Sequence, residues 1–306
     1  MTRRAFLLFT ALGIAWGIPY LLIKIAGEEL SPSVLVLART ALASLVLLPF
    51  ALTRPAVRAA LPALARHWRA LLAFTVIEIS VPWLFLARAE QDLSSSTTAV
   101  LISVVPVAGV AVAFLSGRSE RLGGRGWLGL VLGTAGVATL VGFDLTGSQL
   151  TAAAEVAVVV VGYAIGPAIL ARKLGDLPGL AVVTASLVLS TLIYVPVVLL
   201  GPGLPASLPS GAVVASVVVL AVVCTAAAFV LLFALIGELG PVRATAIVYV
   251  NPVVAVVAGA LVLSERISVW TLVGFAGVLI GSVLVTRRAP AAASPAREPE
   301  ALVARA

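Results

Sequence analysis

Three ionisable side chains stand inside long apolar runs. Glu78 lies near the middle of the run 69–88, Arg39 lies well inside 33–52, and Glu155 lies about one turn inside 151–171. An ionisable group within a membrane span is costly, which marks each of them as a candidate for function. A carboxylate at Glu78 can exchange a proton or hold a cationic group of a substrate. Glu78 and Arg39 also occupy the middle or outer part of neighbouring runs, so a structural ion pair between them is the competing reading. Arg39 is accordingly read either as a partner in that pair or as part of a cavity wall. Glu155 can serve a substrate or a proton, reach lipid headgroups, or stabilise the N-terminus of its own helix.

Aromatic side chains supply cavity walls and faces for cations. The mid-run candidates are Trp16, Tyr20, Trp83, Tyr163 and Tyr249, with Asn251 adding an amide; for each aromatic, ordinary packing is the competing role. In a regular helix the step from Glu78 to Trp83 ends about 140° away round the axis, so the two are expected on different faces. Pro106 and Pro252 lie within spans and are the candidate hinges, with a static kink as the alternative. No metal or cofactor is expected, because Cys224 is the sole cysteine and His67 the sole histidine. Gly123-Gly124-Arg125-Gly126 has no Lys-Ser/Thr after it and no strand before it, so it reads as a turn and not as a phosphate loop.

The elements that must position these residues follow from composition. Of 306 residues, 61% are hydrophobic and 11% charged, against roughly 25% charged in a soluble domain. Too few polar side chains remain to cover a water-facing surface. That excludes a soluble enzyme, a nucleic-acid-binding domain and a disordered chain. Apolar runs are read at 5–26, 33–52, 69–88, 95–116, 126–143, 151–171, 180–200, 212–236, 241–263 and 269–286. Only helices satisfy every backbone group in lipid across so many open-ended segments. The expected class is an all-α integral membrane protein with ten transmembrane helices. The start, Thr2-Arg3-Arg4-Ala5-Phe6-Leu7, mimics a signal peptide but is expected to be a retained first span. Residues 289–306 are Ala/Pro/Arg/Glu-rich and are expected to form a disordered tail.

The net charge of +7 is read as loop charge, with no nucleic-acid partner. Ten spans put sixteen of the twenty basic residues on the side that holds both termini. The other side holds Arg88 and Arg266, with Lys24 at its edge, together with Glu28, Glu29, Glu90, Asp92, Asp144 and Glu265. The positive-inside rule then makes both termini cytoplasmic.

The halves resemble each other. Pro32 matches Pro178 and Pro106 matches Pro252 at an offset of 146 residues. At an offset of 145, Ser119-Glu120-Arg121-Leu122 matches Ser264-Glu265-Arg266-Ile267, and Gly129 and Gly136 match Gly274 and Gly281. Five spans per half would insert the second copy upside down. The expected units are a first five-helix repeat over 1–147 and a second over 148–288, an inverted-repeat architecture typical of transporters.

Gly240-Pro241-Val242-Arg243-Ala244-Thr245-Ala246, Asn251-Pro252-Val253 and Leu263-Ser264-Glu265-Arg266-Ile267 resemble the most recognisable stretch of the EamA family, within the drug/metabolite transporter superfamily. Trp16-Gly17 with Lys24 resembles its opening, and Arg39 its common arginine. The resemblance implies two inverted five-helix repeats, a central cavity, and export of small metabolites, amino acids or drugs across the cell membrane. It departs from internal symmetry at Arg39, which falls opposite Ala185 in the second half. With no nucleotide-binding motif, a proton or substrate gradient is the expected drive. The partners are then a small-molecule substrate, protons and the lipid bilayer. The alternatives are a receptor or scaffold without transport, and an intramembrane enzyme. The second lacks an intramembrane nucleophile with a base, paired aspartates or a zinc motif.

Overall fold

Long apolar runs become helices because a helix satisfies its own backbone and leaves only side chains to meet lipid. The computed structural model describes residues 2–115, 124–201, 203–240 and 244–286, and every regular element among them is helical. The first-half helices are α1 (Arg3–Gly17), α2 (Pro19–Ala26), α3 (Pro32–Leu52), α4 (Pro55–Arg66), α5 (Trp68–Phe74), α6 (Val81–Asp92), α7 (Ser95–Ile102), α8 (Val105–Leu115) and α9 (Gly124–Asp144). Then follow α10 (Ser148–Lys173), α11 (Gly179–Leu200), α12 (Gly211–Ala221), α13 (Ala228–Leu239), α14 (Asn251–Val262) and α15 (Val269–Thr286). Two π-helical segments, Thr75–Ser80 and Val222–Ala227, join α5 to α6 and α12 to α13, and a 3-10 segment, Thr245–Tyr249, precedes α14. The tetrapeptide at 119–122, residues 241–243 and the tail 289–306 lie outside the described residues.

Among the described residues, eight stretches are long and apolar enough to cross a bilayer, and Ile247–Val262 and Val269–Leu284 are apolar but shorter. Leu45, Leu200 and Leu261 are all largely exposed. Such an outward aliphatic surface is a liability in water and suits contact with acyl chains.

The stretch between the second and third apolar runs, expected as a loop, contains α4. Pro55 occupies its first turn, where the missing N–H costs nothing. Val57, Ala60 and Leu64 recur at helical spacing and are buried in a cluster with Leu47, Phe74 and Tyr194.

Several spans are interrupted. Pro19 opens α2 after α1 ends at Gly17, and α7 stops at Ile102 before α8 begins at Val105. Pro106 and Pro252 therefore do not kink a running helix. Each lies in the first turn after an interruption, where proline removes no intrahelical bond. The π segments begin 147 residues apart and have the same length.

Helix α3 packs on α11, α7 on α14 and α9 on α15. Helices α1 and α2 lie against α12, α13 and α14, while α10 lies against α6 and α8. The glycines matched between the halves meet at one interface. A Cβ on Gly136 would lie 2.7 Å from the Gly274 carbonyl oxygen, and one on Gly281 would lie 2.5 Å from the Gly133 nitrogen. Small residues of this kind let two helix backbones approach in a bilayer, where packing replaces the hydrophobic effect as the drive for association. Beyond the C-terminal end of α2, the Ser210 N–H donates to Glu29 Oε2 at 2.7 Å. Hydrogen bonding with Ser210 holds this exposed carboxyl below the usual carboxylate range and ties the loop to the start of α12.

Candidate functional site

Arg39 is on α3 and only 7% exposed. Its Nε donates to Thr225 Oγ1 at 3.0 Å, and its guanidinium carbon lies 3.7 Å from the centre of the Trp83 ring. Thr225 belongs to the second π segment, and its hydroxyl donates to Leu220 O at 2.8 Å. The wider π turn leaves carbonyls without their ordinary helical donors, and Thr225 supplies one while receiving Arg39. Tyr20 on α2, Tyr163 on α10, Cys224 and Glu90 complete the electrostatic surroundings of Arg39.

Glu78 sits in the first π segment. This segment is tied to α11: the Tyr194 hydroxyl donates to Ser80 O at 2.8 Å, and the Ser80 and Ser190 hydroxyls are 3.0 Å apart. The carboxyl of Glu78 lies directly against Gly166 of α10, where any Cβ would collide with Oε2. That oxygen has no hydrogen-bond partner. Glu78 and Arg39 make no ion pair. The structure instead places Tyr163 in the electrostatic surroundings of both, packed in one cluster with Trp83. Glu78 and Trp83 thus meet the same tyrosine, although a regular helix separates them. The π segment takes up an additional residue, and this removes about 100° of the separation expected from α-helical geometry.

Glu90, read from sequence as a loop charge on the outer side, is 2% exposed near the end of α6. Neither of its carboxyl oxygens has a hydrogen-bond partner. Lys24, Glu265 and Arg39 are its charged neighbours. The Lys24 ammonium is engaged elsewhere, donating to the carbonyls of Glu90 at 2.6 Å, Leu93 at 2.9 Å and Gln91 at 3.3 Å. A cation there meets the negative end of α6. Glu90 was legible as an acidic residue just past the apolar run; nothing in its spacing marked it as buried.

Glu265 performs the opposite task. Its carboxylate accepts from the Ser95 N–H at 2.7 Å, from the Ser96 N–H at 3.0 Å and from the Ser96 hydroxyl, and so caps α7. Gly259 makes room for it, since a Cβ there would strike Glu265 Oε2 and both serine hydroxyls. Ser264 aims the loop with φ at 53°, a left-handed conformation rare outside glycine.

The other sequence candidates are placed as follows. Glu155 pairs with Arg88, Oε1 to the terminal guanidinium nitrogen at 2.8 Å. Trp16 packs edge-on against Phe229 of α13, with ring centres 6.0 Å apart. The Tyr249 hydroxyl donates to Ser282 O at 3.1 Å. Asn251 opens α14, and its Oδ1 is buried without a hydrogen-bond partner. The structure therefore brings Tyr20, Arg39, Trp83, Glu90 and Tyr163 together, with Glu78 against Tyr163, and holds Glu155 in a separate ion pair. Among the described residues no group of His, Cys, Asp and Glu side chains could hold a metal ion.

Comparison with known proteins adds to this geometry. The chain matches the profile of the EamA-like transporter family twice, over residues 3–142 and 151–287. It is 28% identical over 281 residues to the "Uncharacterized inner membrane transporter YedA" of Escherichia coli strain K12, covering 90% of this chain and 88% of that one. The protein of the same name in Escherichia coli O157:H7 matches to the same extent. A solved structure described as "Crystal structure of protein" has a similar fold, with a TM-score of 0.63 at 18% identity over 94% of this chain and 97% of that one.

Proposed function

We infer, from the premise that this chain belongs to the EamA-like transporter family, that it is a secondary active transporter exporting small metabolites, amino acids or drugs by alternating access. Residues 1–147 and 148–288 are its two five-helix repeats, inserted in opposite orientations, and 289–306 its cytoplasmic tail. The observation that carries this reading is the pattern of helix packing. The second span packs on the seventh, the fourth on the ninth and the fifth on the tenth, while the first lies on the eighth and ninth as the sixth lies on the third and fourth. A twofold relation between the halves produces this pattern, and two related halves can rock to open either side in turn. The paired profile matches and the two π segments of equal length agree with it.

The substrate site lies among Tyr20, Arg39, Trp83 and Tyr163. Glu78 and Glu90 are the groups suited to couple transport to protons. Pro106 and Pro252 serve as hinges at the interrupted spans. Export is tested by untargeted comparison of medium and cell metabolites with and without the protein. At least one small metabolite should shift toward the medium. Pro106→Ala and Pro252→Ala should slow its efflux at unchanged protein abundance. An unchanged metabolite profile refutes the exporter, and wild-type efflux in both proline variants refutes the hinges.

The protein sits in the cell membrane with both termini cytoplasmic, the side that carries most of the basic residues. A reporter fused after Ala306 is expected to read cytoplasmic and one inserted at Gly203 external. The same compartment for both contradicts the ten-span topology.

A further inference from the structure

Arg39 is a cation that cannot shed its charge, and it is buried at the centre of a helical bundle. A guanidinium so placed is costly without an anion beside it. The protein covers one face with Trp83 and uses one donor, Nε–H, on Thr225. Among the described residues its terminal N–H groups meet no acceptor and no carboxylate forms an ion pair with it. Glu90 is within its electrostatic surroundings yet makes no ion pair or hydrogen bond with it. Stacking on Trp83 and anchoring through Thr225 fix the plane of the guanidinium, and its unused edge is the part that binds a planar two-oxygen acceptor in bidentate fashion.

We propose that Arg39 is an anion-binding residue that takes a carboxylate group, so that the transported molecules are small organic carboxylates. As an anion site this stands on the geometry of Arg39 alone; as a substrate site it rests on the transport reading above. Charge selects carboxylate over phosphate. One guanidinium balances one negative charge, and the second charge of a phosphate dianion would face Glu90 uncompensated, since Lys24 is engaged by backbone carbonyls. Tyr20 and Tyr163, both half-buried beside Arg39, supply hydroxyls and ring faces for the rest of the molecule.

The test is thermal unfolding of the full-length protein in detergent, with acetate, pyruvate and benzoate as probes. Acetamide and benzamide serve as neutral counterparts, and inorganic phosphate as the other oxyanion. At least one carboxylate should raise Tm while the amides and phosphate do not. Arg39→Lys, which keeps the charge and loses the fork, should weaken that binding about tenfold or more. Arg39→Gln should abolish it, with a ligand-free Tm no lower than wild type, because an unpaired buried charge has been removed. The proposal is overturned if no carboxylate acts, if phosphate acts in their place, if both variants bind as the wild type does, or if ligand-free Arg39→Gln loses several degrees. Should Arg39→Gln fail to fold, the Arg39→Lys titration decides. Carboxylate binding without carboxylate flux in proteoliposomes would defeat the transport reading and leave the anion site standing. Flux of a molecule that bears no carboxylate, with no flux of any carboxylate, would defeat the carboxylate substrate and leave the transport reading standing.

Discussion

Glu78→Gln protein is expected to accumulate and melt like the wild type while transporting without the wild type's pH dependence. The substitution keeps the shape of the side chain and removes its titration. A Glu78–Arg39 ion pair would make the same change destabilising by roughly 3–5 kcal/mol, the usual cost of stranding a buried partner. The structure contains no such pair, and Glu78 Oε2 has no hydrogen-bond partner to lose. Stability and transport are therefore separable at this position. Both are measured on one preparation, Tm in detergent and flux against pH in proteoliposomes. Tyr163, on α10, is the titratable group closest in role, since it lies beside Glu78; Tyr163→Phe should leave the pH profile in place. A Glu78→Gln protein that keeps its pH dependence transfers the coupling role to Glu90, where Glu90→Gln repeats the measurement. A Glu78→Gln protein that loses stability restores the structural reading of this carboxylate.

Gly281→Val should remove most of the folded protein. A Cβ at Gly281 would stand 2.5 Å from Gly133 N, 2.6 Å from Gly129 O and 2.8 Å from the Gly133 Cα. These are backbone atoms of α9, which no rotamer change can move aside. Overpacking costs about 1–3 kcal/mol where side chains can yield, and here the helices themselves must separate. Gly237→Ala is the control, because a Cβ there meets nothing within 4 Å. Abundance after detergent extraction and thermal aggregation report the result. A Gly281→Val protein as abundant and as stable as Gly237→Ala would show that α9 and α15 do not depend on close contact.

The apolar runs were legible because lipid demands them: among the described residues eight stretches are long enough to cross a bilayer, and the last two runs hold shorter apolar helices. The glycine matches between the halves were legible too, although their meaning as a single helix interface needed coordinates. Amphipathic α4 was hidden because its apolar positions are short and interleaved with Arg58 and Arg66. The phase of the third span was misjudged at Trp83 for a different reason. Angular arithmetic assumes one helical pitch, and the π segment Thr75–Ser80 breaks that assumption without a signature in residue type. Glu90 escaped because acidic residues at the ends of apolar runs ordinarily face water or headgroups. Its burial follows from how α2, α3 and the Glu265 loop close over the end of α6, a tertiary fact with no local trace. Glu155 was recognised as membrane-embedded, but its partner Arg88 had been assigned to a loop, so the ion pair between α6 and α10 was missed.

The α9–α15 contact also sets a schedule for biogenesis. Helix α9 ends at Asp144 and α15 begins at Val269, 125 residues later. At synthesis rates of about 5–20 residues per second, the glycine face of α9 waits roughly 6–25 seconds for its partner. During that interval it lies in the membrane with a backbone groove that any passing small-residue helix can occupy. Helix α15 is the one that closes the groove of α9, so a chain that stalls before Val269 presents the insertion machinery and the membrane proteases with an open groove.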